Sequence, residues 1–410
     1  MQLAEIGKTD QGGITRFSFS EEETRAKTLV KQYMNEANLE VYEDAIGNLF
    51  GKKSGEQEEA PTVLIGSHLD TVYNGGAFDG ALGVLAAIEV LQAMEEQGVS
   101  LTHPVEAVVF TDEEGARFNM GMLGSRAFTG ALTAECIDKT DANNISVKEA
   151  MLATGYDPSK IDQLRRPGEQ LKAYLELHIE QGQVLEEKDS PVGIVTGIAG
   201  PLWKKYTLTG ETGHAGATPM LARKDALACA AVIIQAVENA ACSIKETVAT
   251  VGRLSVEPGG INIIPGKTEF TLDLRNTSPG RRDQVEDRIA EAVNETCRAR
   301  KIAWEEATLQ RIPPVECDQN LQELIRESLK ELGIKEVWLA TGAAHDANQI
   351  SRLCPVSLIF VRSYRGISHA PEEYSSKKDC AEGTRVLYRA VYKVAGGKTG
   401  RDQITCFPNN

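Results

Sequence analysis

The chain has 410 residues, with 44 Lys and Arg against 59 Asp and Glu and a formal net charge of −15. Its 41% hydrophobic and 25% charged content is that of a globular protein, which excludes wholesale disorder, and the length predicts about two or three domains around a large core. The acidic excess argues against nucleic acid or an anionic membrane as main partner, since both recruit a basic footprint.

The elements follow from patterning. Ser20-Glu21-Glu22-Glu23 reads as a capping box opening a helix that carries Leu29, Val30, Tyr33, Met34 and Ala37 at helical spacing. Short strands around Leu39–Tyr42 and Asn48–Lys52 join through Gly47. The apolar run 62–65 suits a strand buried in a parallel sheet. A glycine-rich loop then leads to a helix from about Gly80 to Gln97, and a strand follows at Val105–Phe110. Residues 130–170 are polar and give little; Tyr174–His178 is a further strand. This alternation predicts an α/β layer. From Trp203 the order changes to strand Trp203–Leu208, helix Asp225–Ala241, strands Val248–Leu254 and Thr268–Leu274, helix Arg281–Lys301 and strand Ile302–Leu309. That β-α-β-β-α-β order is ferredoxin-like. It lies between Gly197-Ile198-Ala199-Gly200-Pro201 and Ile312-Pro313-Pro314, so a small domain at 201–313 is expected as an insertion in a larger one, 1–200 plus 314–410. The larger fold resumes with a helix at Leu321–Leu332, strands at Glu336–Leu339 and Val356–Val361, and a helix near Lys378–Ala395.

No apolar run of about 18 residues appears, so no spanning helix is expected. The start, MQLAEIGKTDQGG, shows no signal-peptide pattern. Cys136, Cys229, Cys242, Cys297, Cys317, Cys354, Cys380 and Cys406 form no C-x-x-C pair. Reduced thiols and a cytoplasmic location are the expectation.

The chemistry-bearing residues cluster at predicted strand ends. His68 and Asp70 are two apart, which lets the carboxylate accept from one ring nitrogen while the other binds a metal. Asp79 opens a helix after a flexible loop; it suits a bridging carboxylate, although taken alone a plain helix cap is the favoured reading. Glu113 and Glu114 adjoin at a strand end, where a turn can bring both into one site; the bland alternative is a solvated acidic turn. His178 ends another strand, and His369 precedes Ala370-Pro371 in a loop. Three histidines with several carboxylates suit zinc, manganese, cobalt or nickel with positions left open. Arg275 ends a strand and is able to fork onto a carboxylate, or else is an exposed strand-end arginine. Small residues Gly342-Ala343-Ala344 would let backbone amides approach a carboxylate, with His345 and Asp346 paired structurally. Neither a thiol nucleophile, a G-x-S-x-G elbow nor a dinucleotide fingerprint is indicated.

The runs GSHLDTVYNGGAFDGALG, TDEEGARF, LHIEQG, GHAGATPM, GGINIIPG, LDLRN, GAAHDA and GISHAPEE, in that order from about residue 12 to 390, resemble the dinuclear metallopeptidase and aminoacylase family, and within it the hydantoinase/carbamoylase branch. The resemblance implies a mixed-sheet catalytic domain with an inserted lid and dimerisation domain. It implies two divalent ions (Mn, Co, Ni or Zn) per subunit on His68, Asp79, Glu114, His178 and His369, with Asp79 bridging. Glu113 would be the general base and Asp70 the partner of His68. Gln181 would reach the ureido group, His214 would stabilise an oxyanion across a dimer interface, and Asn262, Arg275 and Ala344 would hold the rest of a small ureido acid. The implied reaction is hydrolysis of N-carbamoyl-L-amino acids to L-amino acids, carbon dioxide and ammonia. Allantoate and N-carbamoyl-β-alanine remain alternative substrates. Ordinary amides are disfavoured by His178, where dipeptidase-like members carry a carboxylate. A silent binding protein is disfavoured because no ligand or base is missing.

Overall fold

The computed structural model describes residues 2–398. The chain divides into two compact units, one of residues 1–196, 317–339 and 345–410, the other of 197–316 and 340–344.

The first unit is built on a mixed sheet in the order Glu40–Glu43, Leu49–Lys53, Val105–Phe110, Thr62–His68, Leu171–Ile179, Val356–Val361, Val192–Ile198. The inner pairings are parallel and the outer ones antiparallel. Every residue of Thr62–His68, Val105–Phe110 and Val356–Val361 is buried, as strands covered on both faces require. One face packs against helices Ala81–Glu96, Gln319–Glu331 and Lys377–Val394, whose Val84, Ala87, Leu91, Ile325, Leu329, Leu387 and Val391 join sheet residues Ile65, Ala107, Leu175 and Ile359 in one core.

Most expected elements appear within a residue or two. The Glu21–Glu36 helix is capped by Ser20, which accepts the Glu23 amide at 3.1 Å. Glu23 reaches one residue further back than a standard capping box, accepting from the Phe19 amide at 2.6 Å. The Thr62–Ile65 run continues through Gly66 and Ser67 to His68. Val192–Ile198 is a strand that glycines at 193 and 197 hide from the pattern. The 130–170 stretch holds short helices Ala134–Ile137 and Val147–Ala153.

The second unit has the β-α-β-β-α-β order. Its antiparallel sheet runs Val248–Thr250, Lys267–Arg275, Leu202–Thr209, Ala303–Arg311, with helices Ala226–Cys242 and Pro279–Arg300 packed through Cys229, Ile233, Val285, Ile289 and Val293. Residues Thr268, Phe270, Leu272 and Leu274 alternate inward. The strand expected at Val248–Leu254 is instead two, Val248–Thr250 and Leu254–Glu257, both pairing with Lys267–Arg275. Thr250 faces Asp273 and Leu254 faces Phe270, so four steps oppose three and the chain bulges at Val251-Gly252-Arg253.

Among the described residues no helix is long and apolar enough to cross a membrane. Their seven cysteines are free; Cys406 lies outside the described residues.

Candidate metal centre

Parallel pairing brings several candidate residues to one edge of the first unit. His68 lies opposite Phe110, and His178 opposite Phe360, so both histidines sit at the carboxyl ends of neighbouring inner strands. Both rings are held by a backbone carbonyl on Nδ1, from Asp70 at 3.1 Å for His68 and from Ile179 at 2.9 Å for His178. Each therefore presents Nε2 to the pocket, the orientation a metal-binding imidazole needs.

Asp79 lies between them. It does not cap the following helix, whose cap position is Gly80 with no side-chain bond. Its Oδ1 is 3.1 Å from His178 Nε2 and 3.6 Å from His68 Nε2, and its Oδ2 is 3.2 Å from His369 Nε2. His369 Nε2 is in turn 3.4 Å from Glu114 Oε1. Two ligand sets result, His68–Asp79–His178 and Asp79–Glu114–His369, the ligand atoms of each within 4.8 Å of one another. They share Asp79 through different oxygens. A third group, Glu176–His178–His345, shares His178 with the first.

The adjacent glutamates reach the pocket because Asp112 takes a left-handed backbone, φ +58°, as the strand ends. The Ser18 hydroxyl donates to Asp112. Glu113 Oε2 lies 3.8 Å from His68 Nε2, and both glutamate side chains are only 9% exposed, so the acidic pair is no solvated turn. Asp70 acts differently from the expectation. Its carboxylate accepts the Glu113 and Glu114 amides, both at 3.1 Å, and lies 3.6 Å from His68 Nδ1, beyond the ring's bond to the Asp70 carbonyl. The strand ends at His68, so the two-residue alternation no longer fixes where Asp70 points. The expected His345–Asp346 pair is also replaced. Asp346 accepts from the Ser125 hydroxyl at 2.5 Å, while the His345 ring packs edge-on against His178 at 4.6 Å.

Electrostatics follow from this crowding. Burial, reinforced by Asp346 and Glu114, holds the Glu113 carboxyl well above the usual carboxylate range. Burial and Asp79 push Glu114 up to about 8. The hydrogen bond to Asp79 raises His369 to about 9. Burial works against ionisation of Asp79, yet hydrogen bonds from His178, His369 and His68 outweigh it and hold its carboxyl well below the usual range. Buried carboxylates and inward-facing imidazole nitrogens around one shared Asp fit divalent cations, whose charge would compensate the cluster.

Gln181 also joins the site. Its Nε2 is 2.9 Å from Asp79 Oδ2, and its buried Oε1 has no hydrogen-bond partner. The remaining candidates lie in the second unit. His214 pairs with Ile263 on a two-stranded ribbon, where the neighbouring Asn262 carbonyl accepts the Ala215 amide at 2.9 Å. The His214 ring is exposed, its Nδ1 accepting the Gly216 and Ala217 amides. Arg275 does not stand open. Its fork lies on Asp273 at 2.9–3.2 Å and on the carbonyl of Gly342, two residues before Ala344 in the chain, at 2.9 Å. Ser368 and Glu373, which sequence reasoning did not single out, also touch the Asp79 loop; their signal was proximity to His369 in Gly366–Glu373.

Residues 64–393 match the model of peptidase family M20/M25/M40, and the chain belongs to that family. Divalent-metal use goes with the family and with these ligand groups. The chain is 52% identical to the N-carbamoyl-L-amino acid amidohydrolase of Geobacillus stearothermophilus over 97% of both chains. It is 36% identical to the allantoate amidohydrolase of Bacillus subtilis over 96% of this chain and 95% of that one. Among solved structures, a hydantoinase/carbamoylase family amidase from Burkholderia multivorans superposes with a TM-score of 0.87, at 32% identity and 96% coverage of both chains.

Proposed function

We propose that the protein is a metal-dependent amidohydrolase that cleaves N-carbamoyl-L-amino acids to the L-amino acid, carbon dioxide and ammonia. The observation that carries this reading is Asp79, whose two oxygens face separate His and carboxylate sets with Glu113 beside them. The substrate follows from the 52% identical relative, since the allantoate-cleaving relative is more distant at 36%.

Two divalent ions would be held, one by His68, Asp79 and His178 and one by Asp79, Glu114 and His369, with manganese, cobalt, nickel and zinc all compatible with the donors. When bound, they supply Lewis acidity and acidify water. Glu113 takes the proton from the attacking water, and the water oxygen joins the ureido carbon. The bond from that carbon to the amino-acid nitrogen breaks, and Glu113 returns the proton to the departing amine. The carbamic acid released decomposes to carbon dioxide and ammonia. The Asp70 carboxylate accepts the Glu113 and Glu114 amides and so sets the base's position, while the His68 tautomer is set by the Asp70 backbone carbonyl. The orphaned Gln181 Oε1 is an acceptor suited to the ureido N–H2.

The second unit is read as an inserted lid and dimerisation domain in a cytoplasmic homodimer. His214 of the partner subunit would stabilise the developing oxyanion. Asn262, Arg275 and the Ala344 backbone would hold the amino-acid end. Because Arg275 rests on Asp273, binding a carboxylate means exchanging one acid for another.

The decisive experiment gives manganese- or cobalt-loaded enzyme an N-carbamoyl-L-amino acid, N-carbamoyl-β-alanine and allantoate. The first should show the highest kcat/KM; a clear preference for either of the others overturns the substrate assignment.

A further inference from the structure

The loop carrying Asp79 is held from below by one carboxylate. The Phe78 and Asp79 amides both donate to Glu373 Oε1, at 2.9 and 3.0 Å. Glu373 Oε2 lies 2.8 Å from the Ser368 hydroxyl, which is 3.0 Å from Asp79 Oδ2. Glu373 is 5% exposed. The approach is so close that a Cβ on Gly76 would stand 2.1 Å from Oε1, so only glycine leaves room for the carboxylate under the loop. Ser368 and Glu373 flank His369, whose own backbone is left-handed at φ +57°. One side chain thus stitches the Asp79 loop to the His369 loop, 294 residues away in sequence.

We infer that Glu373 is a positioning residue of the metal centre. It fixes the backbone at Phe78–Asp79 so that each Asp79 oxygen faces its own ligand set, and its loss weakens cation binding without removing a ligand. Both of its oxygens are engaged by donors, and it belongs to none of the candidate ligand groups. The inference rests on the reading of Asp79 as a shared ligand.

The test is titration of metal-free protein with Co(II), followed by visible absorption and calorimetry, in wild type and in Glu373→Gln, Glu373→Asp and Glu373→Ala. Circular dichroism and melting of the metal-free proteins check folding. Glutamine keeps an oxygen for both amides and leaves the Ser368 proton to Asp79; aspartate is one methylene too short to reach them. Glu373→Ala and Glu373→Asp should bind at least one cobalt about 10- to 100-fold more weakly, with a changed spectrum and kcat falling more than KM rises, while Glu373→Gln stays within about threefold of wild type. If Glu373→Ala does not fold, Glu373→Asp decides. Wild-type affinity and spectrum in the folded Asp and Ala variants overturn the inference, as does a Gln variant impaired as deeply as Ala. Failure of the wild type itself to take two cobalt ions is a different result: it removes the dinuclear reading, and the inference falls with it.

Discussion

Replacing Gly80 by Ala probes the geometry of the metal centre through a residue that holds no cation. Gly80 has φ 63° and ψ −49°, and the Ala81 amide lies 2.6 Å from the Asp79 carbonyl. That is a γ-turn of the rare, strained hand, centred on Gly80. An L-residue forced into such a backbone costs about 1–3 kcal/mol. A Cβ there would also stand 2.5 Å from Cε1, Nδ1 and Nε2 of His68. The ring has little room to retreat, since it is 1% exposed and its Nδ1 is tied to the Asp70 carbonyl. Overpacking of this kind adds about 1–3 kcal/mol. Gly80→Ala should therefore lose about 2–6 kcal/mol in urea unfolding of the metal-free protein. It should also bind cobalt more weakly, because the ring it displaces belongs to a proposed ligand set. The two effects separate by comparing unfolding with and without cobalt: the stabilisation that cobalt confers should shrink in the variant. A Gly80→Ala protein with wild-type stability and wild-type cobalt affinity would refute the turn and the placement of His68 together.

Three further outcomes are expected. Glu113→Gln should keep its metal, by elemental analysis, while kcat drops about 10²- to 10⁴-fold; normal turnover would remove Glu113 as the base. Arg275→Ala should raise KM for substrates with a free carboxylate more than it lowers kcat, and an unchanged KM in steady-state kinetics counts against that contact. Chelator-treated protein should lose melting temperature as pH rises from about 6.5 to 9. His369, raised to about 9, contributes stability that is fully present below its unfolded value and is lost on deprotonation; Glu114, raised to about 8, becomes steadily more costly as its ionisation is opposed. Cobalt-loaded protein should show a flatter profile, because the ions replace those protons, and parallel melting curves for the two forms would contradict the argument.

What the sequence makes legible is whatever depends on local pattern. Apolar runs locate the strands ending at Phe110 and Val361, and the helix expected at Asp225–Ala241 is found at Ala226–Cys242 with Asp225 as its cap. His68 and His178 stand out because polar groups at the ends of buried strands have no packing reason to be there. What depends on distant chain is not legible. Nothing local says that the Asp70 carboxylate serves the Glu113 and Glu114 amides and leaves the His68 ring to the Asp70 carbonyl, or that Asp346 is taken by Ser125. The Glu373 contact joins residues 294 apart, and the Asp273 lock on Arg275 depends on a guanidinium folding back along its own strand. The bulge at 251–253 and the strand at Val192–Ile198 escape for a simpler reason: glycine interrupts the alternation that marks a strand.

The strand leading toward His369 is not an edge. Val356–Val361 lies between Leu171–Ile179 and Val192–Ile198, deep in the sheet order. On the ribosome, the platform bearing His68, Asp79, Glu114 and His178 emerges long before that inner strand can slot in and deliver the last imidazole. The His68–Asp79–His178 set is therefore translated first, and only the Asp79–Glu114–His369 set waits for residue 369.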